Sequence, residues 1–546
     1  PQFPPAEHDP GIPWNGTDEG DRAWDDEAAN KANFGGVQYI TVGTQGRLRW
    51  DPEKVHAVAV DGQHRLYSMR IFRDQSRGRA LTVIEKQTSI PVIFLLLDKA
   101  AGFEHKGGTM TLRSVARELF TDLNKNAKEV DFAREIILDD LSVESRALRL
   151  LVTDETATDN QERLPLSMVR WQEAINRFDT GYYVNSLVHM YQLIDLVLAL
   201  APPKDPVLKS DVEGFIQSLN DAVGIPDASG TRSIRVGNRA LQDVFLSEYC
   251  DADGEPETPF TRLPSSFVEA AIKGFEHNHR HWVLQLLRDF KPYAEILAYA
   301  RQHNLIEGDF GNFWSQTKRH QALLKTEKQS QDPDWYNANI ARHITAIEAI
   351  KGKDENAQWP HKAIFQKAMI RLGRRIAFEN GGADPNLGTI DDLLRFLTQL
   401  YDAGWLKVRC RLPGNDDFDI WNFIATNPGG TKIKVAKDTE NRIFAMLALW
   451  YYANRKVEVE KATDPSKTFT AKALLEEFQS SASVWPGCDE HFAKLYKAFD
   501  VQGLVGQREM SPRMRKKKVM QHFAQVLAAG VLHSLEGAEK DSTDSE

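Results

Sequence analysis

The most constraining stretch of this sequence is an apolar run at residues 55–60 that leads directly into the polar pentapeptide Asp-Gly-Gln-His-Arg at residues 61–65. A helix-like stretch, residues 66–72, follows it. This order is typical of a strand, a tight turn and a helix, with the charged residues at the junction. Gly62 lets a ligand approach the backbone closely, a helix N-terminus attracts anions, and the planar guanidinium of Arg65 matches paired phosphate oxygens. The segment therefore predicts a phosphate or nucleotide site.

The residue types alone leave a second interpretation open at about equal weight. Asp61 is an ordinary cap for the helix that follows, and Arg65 is equally suited to a surface ion pair. In that case the turn has a structural role only.

The pentapeptide matches the signature of the DGQHR-domain proteins, which include the DndB family of DNA phosphorothioation systems and DndB-like proteins of deazaguanine DNA-modification systems. An apolar strand precedes it, Leu66 follows it, and a second strand-like run lies at residues 89–95. The domain is similar to the ParB/sulfiredoxin superfamily. The resemblance implies a turn in which Arg65 contacts nucleotide phosphates.

A second segment, residues 117–131, resembles the family's Phe-x-x-x-Asn box, after which a charged helix begins. By that resemblance Asn124 lies across the nucleotide pocket and helps to hold the triphosphate or its metal. Lys128 is a further nucleotide-binding candidate, and Asp122 and Asn126 are weaker ones. Asn and Asp are also common caps and turn formers, so the residue types agree with this assignment only in part.

We expect a nucleotide to bind through the 61–65 turn, because the sequence has no Walker-type Gly-x-x-x-x-Gly-Lys-Ser/Thr loop. The backbone at Gly62 would donate N–H groups, and Asp61 would hold Mg²⁺ through water or orient Arg65. His64 would donate to phosphate, although a hydrogen bond to nearby backbone is as plausible. Gln63 would orient an attacking water if hydrolysis occurs. The expected cofactor is ATP or another nucleoside triphosphate with Mg²⁺, and the catalytic candidates are Asp61, Gln63 and His64.

The expected fold class is α+β: a ParB-like mixed α/β N-terminal domain followed by a mostly α-helical C-terminal region. We place the first domain at residues 1–150 and expect it to be incomplete at its start, because the chain begins with Pro1. Residues 151–305 are predicted to be helical. Residues 306–458 are predicted to be helical with a small β excursion. Residues 459–546 form a C-terminal helical segment with a basic cluster and an acidic tail. Periodicity predicts helices at 169–178, 183–200, 282–299 and 340–350.

Composition narrows the function classes. The net charge of −9 argues against a basic coat over the whole surface, but it leaves local patches open. No apolar stretch is long and uninterrupted enough to predict a membrane span. Cys250, Cys410 and Cys488 stand too far apart for zinc spacing. We therefore expect a cytoplasmic protein without a membrane partner.

The region before the last predicted helix, residues 519–532, carries a dense basic cluster. The candidate DNA-binding residues in it are Arg513, Arg515, Lys516, Lys517 and Lys518. Such a cluster can neutralise phosphates and give salt-sensitive affinity without sequence preference. A solvated helix face is the commoner explanation of a charge run. Since the resembled family belongs to DNA-modification systems, we expect DNA contact.

A set of alternating histidines, His277, His279 and His281, would share one side of an extended strand, where imidazoles could hold zinc. In a helix the three spread around the axis and cannot reach one metal. The flanking apolar residues favour the helix.

These observations support two main hypotheses. The first is a DndB-like accessory or regulatory protein of a DNA-modification and phage-defence system, which binds DNA and a nucleotide. The second is an NTPase (ATPase) subunit that drives a partner DNA-modifying enzyme. A third, weaker hypothesis is a scaffold in which the motif is only structural. Expected partners are DNA and other proteins of the system. Dimers are common among ParB-like proteins, so the resemblance also allows a homo-oligomer.

Overall fold

The computed structural model describes residues 30–34, 37–42, 45–50, 132–140, 142–152, 163–171, 178–179, 181–200, 209–227, 229–248, 250, 265–306, 341–353, 356–379, 386–412, 415–426, 433–434, 436–480, 487–501 and 511–531. The chain divides into two compact units. The first comprises Pro1–Val130 and Leu138–Asp140, and the second comprises Asp131–Ile137 and Leu141–Glu546.

The described part of the first unit is a three-stranded antiparallel sheet in the order β1-β2-β3. Its strands are β1 (Asn30–Phe34), β2 (Val37–Val42) and β3 (Gln45–Trp50). Two residues separate each strand from the next, and each pair includes glycine, which tight hairpin turns favour. The strands predicted at residues 55–60 and 89–95 lie outside the described residues.

The second unit consists mainly of helices. In chain order they are α1 (Phe132–Leu138, whose last residue belongs to the first unit), α2 (Val143–Leu151), α3 (Leu187–Leu198), α4 (Lys209–Val223), α5 (Leu241–Glu248), α6 (Ser265–Phe275), α7 (His281–Leu284), α8 (Lys291–Gln302), α9 (Arg342–Lys351), α10 (Ala363–Arg374), α11 (Ile390–Asp402), α12 (Lys437–Thr463), α13 (Ala471–Gln479), α14 (Cys488–Val501) and α15 (Pro512–Gly530). Single π-helical turns at Glu276–Arg280, Gln285–Asp289 and Arg375–Glu379 continue α6, α7 and α10. Short 3₁₀ turns lie at Leu166–Met168 and Trp359–His361.

Short strand pairs join these helices. They are β4 (Val169–Arg170) with β5 (Asn185–Ser186) in parallel, and β6 (Ile225–Pro226) with β7 (Arg232–Ser233), β8 (Arg235–Val236) with β9 (Arg239–Ala240) and β10 (Arg411–Leu412) with β11 (Asn415–Asp419), all antiparallel.

The long helix α12 forms the centre of the second unit. Every residue from Ile443 to Ala453 is buried, so this stretch has no solvent-facing side. A helix that is apolar all round requires neighbours on every side. Helices α10, α14 and α15 pack against it, and the Tyr451 ring contacts Phe396 of α11. The indole of Trp450 meets that of Trp421, which in turn contacts Trp359.

Local sequence signals explain where two of these helices begin and end. The Ser186 hydroxyl accepts a hydrogen bond from the His189 amide, which caps the start of α3. Helix α9 ends at Gly352, whose φ is 73°. A Cβ there would lie 1.9 Å from the Asn356 carbonyl oxygen, so only glycine fits.

The expectation of a largely helical chain is confirmed by the described residues. The helix predicted at residues 169–178 is wrong at its described positions. Val169 and Arg170 form β4, which pairs with Asn185 and Ser186, and residues 178–179 are not helical. Pairing with a strand distant in sequence overrode a short periodic pattern there. The ParB-like N-terminal domain stays a prediction. Among the described helices, none combines the length and the apolar character that a membrane crossing requires.

Candidate nucleic-acid interface

The basic cluster lies at the beginning of α15. The Ser511 hydroxyl accepts a hydrogen bond from the Met514 amide at 3.4 Å, and Pro512 occupies the first helical position. Serine as cap and proline at the first position are both strong start signals. The helix therefore begins directly before the cationic residues.

The second half of α15 anchors the helix to the protein. The Phe523 ring stacks on Phe492 of α14, with ring centroids 5.2 Å apart. The Trp450 indole N–H donates to the Val526 carbonyl at 3.0 Å, and the Asn454 side-chain amide donates to the Gly530 carbonyl at 2.8 Å. This half of the helix is consequently fixed against α12 and α14.

The first half of α15 is exposed instead. All eight residues from Ser511 to Lys518 are exposed, and Val519 is the first that is buried. Met514 is 60% exposed. About two helical turns therefore lie at the surface before the helix becomes buried at Val519.

The cations of this segment fall into two groups. The Arg515 guanidinium donates to the Asp500 carboxylate at 2.5 Å and to the Asp500 carbonyl at 3.0 Å, and these bonds raise the pKa of Arg515. Arg513, Lys516, Lys517 and Lys518 form no ion pair with any other described residue. Of the five predicted DNA-binding residues, one is thus tied to α14 and four present charge to solvent.

Arg513 lies in the first turn of α15, where a cation is unfavourable for the helix itself. The N-terminus of a helix carries a partial positive charge, and each cation near it costs about 0.3–1 kcal/mol. The first turn of α15 has no acidic residue to offset this. A bound polyanion would turn both the dipole and the side-chain charges from repulsive to attractive. The stability of the helix therefore does not account for Arg513.

A second basic area, on α10, is used within the protein. The Arg371 guanidinium donates to Asn441 Oδ1 at 2.8 Å and lies over the Phe444 ring. Lys362, which precedes α10, pairs with Asp179 at 2.9 Å. These cations hold elements together, so they are poor candidates for a nucleic-acid surface.

The histidines near residue 280 lie on a helical segment and not on a strand. His279 is fully buried, and its Nε2 lies 2.7 Å from the Ala222 carbonyl oxygen. His277 and His281 belong to the π turn and to α7 respectively. Within the described ranges, no group of three or more His, Cys, Asp or Glu side chains is placed to hold a metal.

The predicted nucleotide pocket falls outside the described residues. This holds for all of its candidates: Asp61, Gly62, Gln63, His64, Arg65, Asn124 and Lys128. Their roles, the Mg²⁺ ligand Asp61 included, stay predictions.

A buried polar cluster, which no sequence pattern indicated, lies between α9 and α10. The Lys351 ammonium is buried and donates to the carbonyl oxygens of Phe178, Gly181 and Tyr183. Burial lowers the pKa of Lys351 to about 7. A lysine in the last turn of an amphipathic helix is an ordinary surface pattern, so nothing in the sequence marked it as internal.

A chain of hydrogen bonds continues this cluster. Asn185 donates to the Gln366 side chain at 2.9 Å, Gln366 donates to the Tyr293 hydroxyl at 3.0 Å, and that hydroxyl donates to the Pro360 carbonyl at 2.6 Å. His361 is buried beside it, and neither ring nitrogen has a hydrogen-bond partner. The bonds join β5, α8 and α10 through buried side chains, which indicates a structural role.

Comparison of the chain with protein-family models, with curated proteins and with solved structures gave no match.

Proposed function

We propose that this chain is a DNA-binding accessory or regulatory protein of a DNA-modification defence system. It contacts DNA through the exposed basic start of α15, and it binds a nucleotide through the turn at residues 61–65. The observation that carries the DNA part is the group of four cations, Arg513 and Lys516 to Lys518, which have no ion-pair partner among the described residues and stand clear of the core.

The electrostatics of the segment support this assignment. The whole chain carries a net charge of −9, so general attraction to DNA is absent and binding must come from a local cluster. Cations that neutralise phosphates release the counterions condensed on DNA. The salt slope, which is the slope of log K against log salt concentration, becomes steeper by about 0.9 for each such contact. Four contacts suffice for affinity that depends strongly on salt.

The link to DNA modification rests on the sequence resemblance. The pentapeptide at residues 61–65 and the box at residues 117–131 resemble the DGQHR-domain proteins in the expected order. By that resemblance a nucleoside triphosphate with Mg²⁺ occupies the first unit and other proteins of the system are its partners.

The DNA part is tested by fluorescence anisotropy with a labelled duplex between about 50 and 200 mM salt. A variant with Arg513, Lys516, Lys517 and Lys518 all changed to Gln should bind at least tenfold more weakly and lose most of the salt slope. The control is Lys472→Gln with Lys494→Gln, which removes exposed lysines of α13 and α14. Equal binding by the quadruple variant and the wild type would refute the assignment.

The nucleotide part is tested by titrating ATP, dATP, GTP and CTP with and without Mg²⁺, for the wild type and Arg65→Ala. We expect binding in the wild type and its loss in the variant. Phosphate release measured in the same samples distinguishes a nucleotide-gated DNA binder, which releases none, from an NTPase subunit. Unchanged binding in Arg65→Ala would remove the turn from the nucleotide site.

A further inference from the structure

The cations at the start of α15 surround the helix instead of lining one face. Successive residues of a helix are rotated by about 100°. On that basis Lys516 and Lys518 lie about 160° apart, on opposite flanks. The arc of about 160° between them holds Arg515, which faces Asp500, whereas Arg513, Met514 and Lys517 lie on the opposite, outward arc of about 200°.

This distribution distinguishes between possible anionic partners. A flat anionic surface, such as a membrane, contacts one face of a helix and requires an apolar stripe along that face. Here the two flanking lysines would point away from such a plane, and the only large apolar side chain on the arc is Met514. A groove with phosphates on both walls engages both flanks at once.

We infer that the exposed end of α15 enters the major groove of duplex DNA. Lys516 and Lys518 contact phosphates on opposite walls, and Arg513 and Met514, near the tip, contact base edges. This inference rests on the proposed DNA binding and specifies the form of DNA and the groove.

The dimensions of the segment fit that groove. The eight exposed residues from Ser511 to Lys518 span about 12 Å at 1.5 Å per residue. The major groove of B-form DNA is about 12 Å wide and about 8.5 Å deep and admits a helix. The major groove of A-form RNA is deep and too narrow for side chains to reach the bases. The tip of the helix therefore reaches the bases of B-form DNA before Val519 and the core meet the backbone.

The side chains at the tip suit base edges. An arginine can donate two hydrogen bonds to guanine O6 and N7, and an apolar side chain can contact the thymine methyl group. The Met514 side chain is mostly exposed and flanked by cations, so it contributes little to packing within the protein.

The first test compares the full chain on duplex DNA, single-stranded DNA and duplex RNA of one sequence. We expect duplex DNA to bind at least tenfold more tightly than the other two. Equal affinity for single strands or RNA would overturn the inference while leaving nucleic-acid binding intact. No binding to any of the three would overturn the proposed function itself.

The second test identifies the groove. Glucosylated 5-hydroxymethylcytosine, which fills the major groove, should weaken binding at least tenfold, and netropsin, a minor-groove ligand, should not compete. Lys516→Gln and Lys518→Gln should each lower the salt slope by about 0.9. Met514→Ala should weaken duplex binding several-fold at an unchanged salt slope. Competition by netropsin together with tolerance of the glucosyl groups would overturn the inference.

Discussion

Arg513 and Arg515 are two residues apart, yet their surroundings in the folded protein differ. Arg513 is exposed and forms no ion pair with another described residue, whereas Arg515 is bonded to both the carboxylate and the carbonyl of Asp500. In the sequence both belong to one basic run, and nothing in it assigns the partner. The ion pair depends on how α14 ends beside α15, which is a property of the tertiary structure.

The difference predicts unequal effects on DNA binding. Arg513→Gln should weaken duplex binding by about 1–3 kcal/mol, because it removes the base contact proposed for this side chain. Arg515→Gln combined with Asp500→Asn should leave the affinity nearly unchanged, because it removes an internal ion pair and keeps the net charge. Anisotropy titrations of both variants measure this. A larger loss of affinity in the double variant would mean that the ion pair opens in the complex.

The hydrogen bonds of Lys351 lead to a second prediction for a single residue, which concerns stability. Its ammonium donates to three carbonyls, and Lys351→Met would remove the hydrogen bonds that they accept from it. We expect the variant to lose roughly 3 kcal/mol of unfolding free energy. Urea denaturation followed by circular dichroism measures the loss. Lys472→Met, at a position that is 80% exposed, is the control and should be nearly neutral. A neutral Lys351→Met would show that water replaces the ammonium.

At the level of elements, the contact between α15 and α12 depends on one residue without a side chain. A Cβ on Gly530 would lie 2.2 Å from the Trp450 indole, so Gly530→Ala must push the helices apart or distort the ring. Overpacking of this kind costs about 1–3 kcal/mol or more. The midpoint of urea unfolding should fall accordingly.

A matched control exists in α4. Gly214 is exposed, and a Cβ there would meet nothing within 4 Å. Gly214→Ala should therefore stabilise the protein by about 0.5–1 kcal/mol, because alanine favours the helix. The same substitution thus has opposite signs at the two positions. Destabilisation at both would show that packing at Gly530 is not the cause.

Sequence patterns located the helices better than their ends. The segment predicted at 183–200 contains α3, and the segments predicted at 282–299 and 340–350 overlap α7 with α8, and α9, to within three residues at each end that they share. Their apolar faces are strongly periodic, and such periodicity survives folding. Their boundaries differ because local contacts set them, such as the Ser186 cap of α3. The helix expected at 169–178 was wrong at Val169 and Arg170, since pairing with residues sixteen positions later cannot be seen in a local window.

At the scale of the whole molecule, local sequence patterns predict the candidate site only in part. The charge run before residue 519 was visible in the sequence, and so was its chemistry. The sequence could not show that the second half of α15 is buried against α12 and α14, whereas the first half is exposed and is bonded to α14 through Arg515. That contrast depends on side chains from three helices. The buried polar cluster around Lys351 could not be predicted for the same reason, because it joins elements that are far apart in the chain.

Acid sensitivity is the last property that belongs to the whole molecule. Several histidines are buried and uncharged: His189, His279, His361, His491 and His522. Burial lowers the pKa of His189 and His491 to about 3, that of His279 and His522 to about 4, and that of His361 well below its ordinary value. In the unfolded chain each titrates near pH 6.5.

The sign of the pH dependence follows from these shifts. Below about pH 6.5 the unfolded chain takes up protons that the folded chain does not, so the free energy of unfolding falls as pH falls toward 4. Each histidine accounts for up to about 2 kcal/mol between about pH 7 and 5. Urea denaturation at these two pH values should show a loss of several kcal/mol. In His361→Leu, which removes one such group with no hydrogen bond to lose, the difference should shrink by about 2 kcal/mol. An unchanged difference would mean that His361 gains its proton without unfolding.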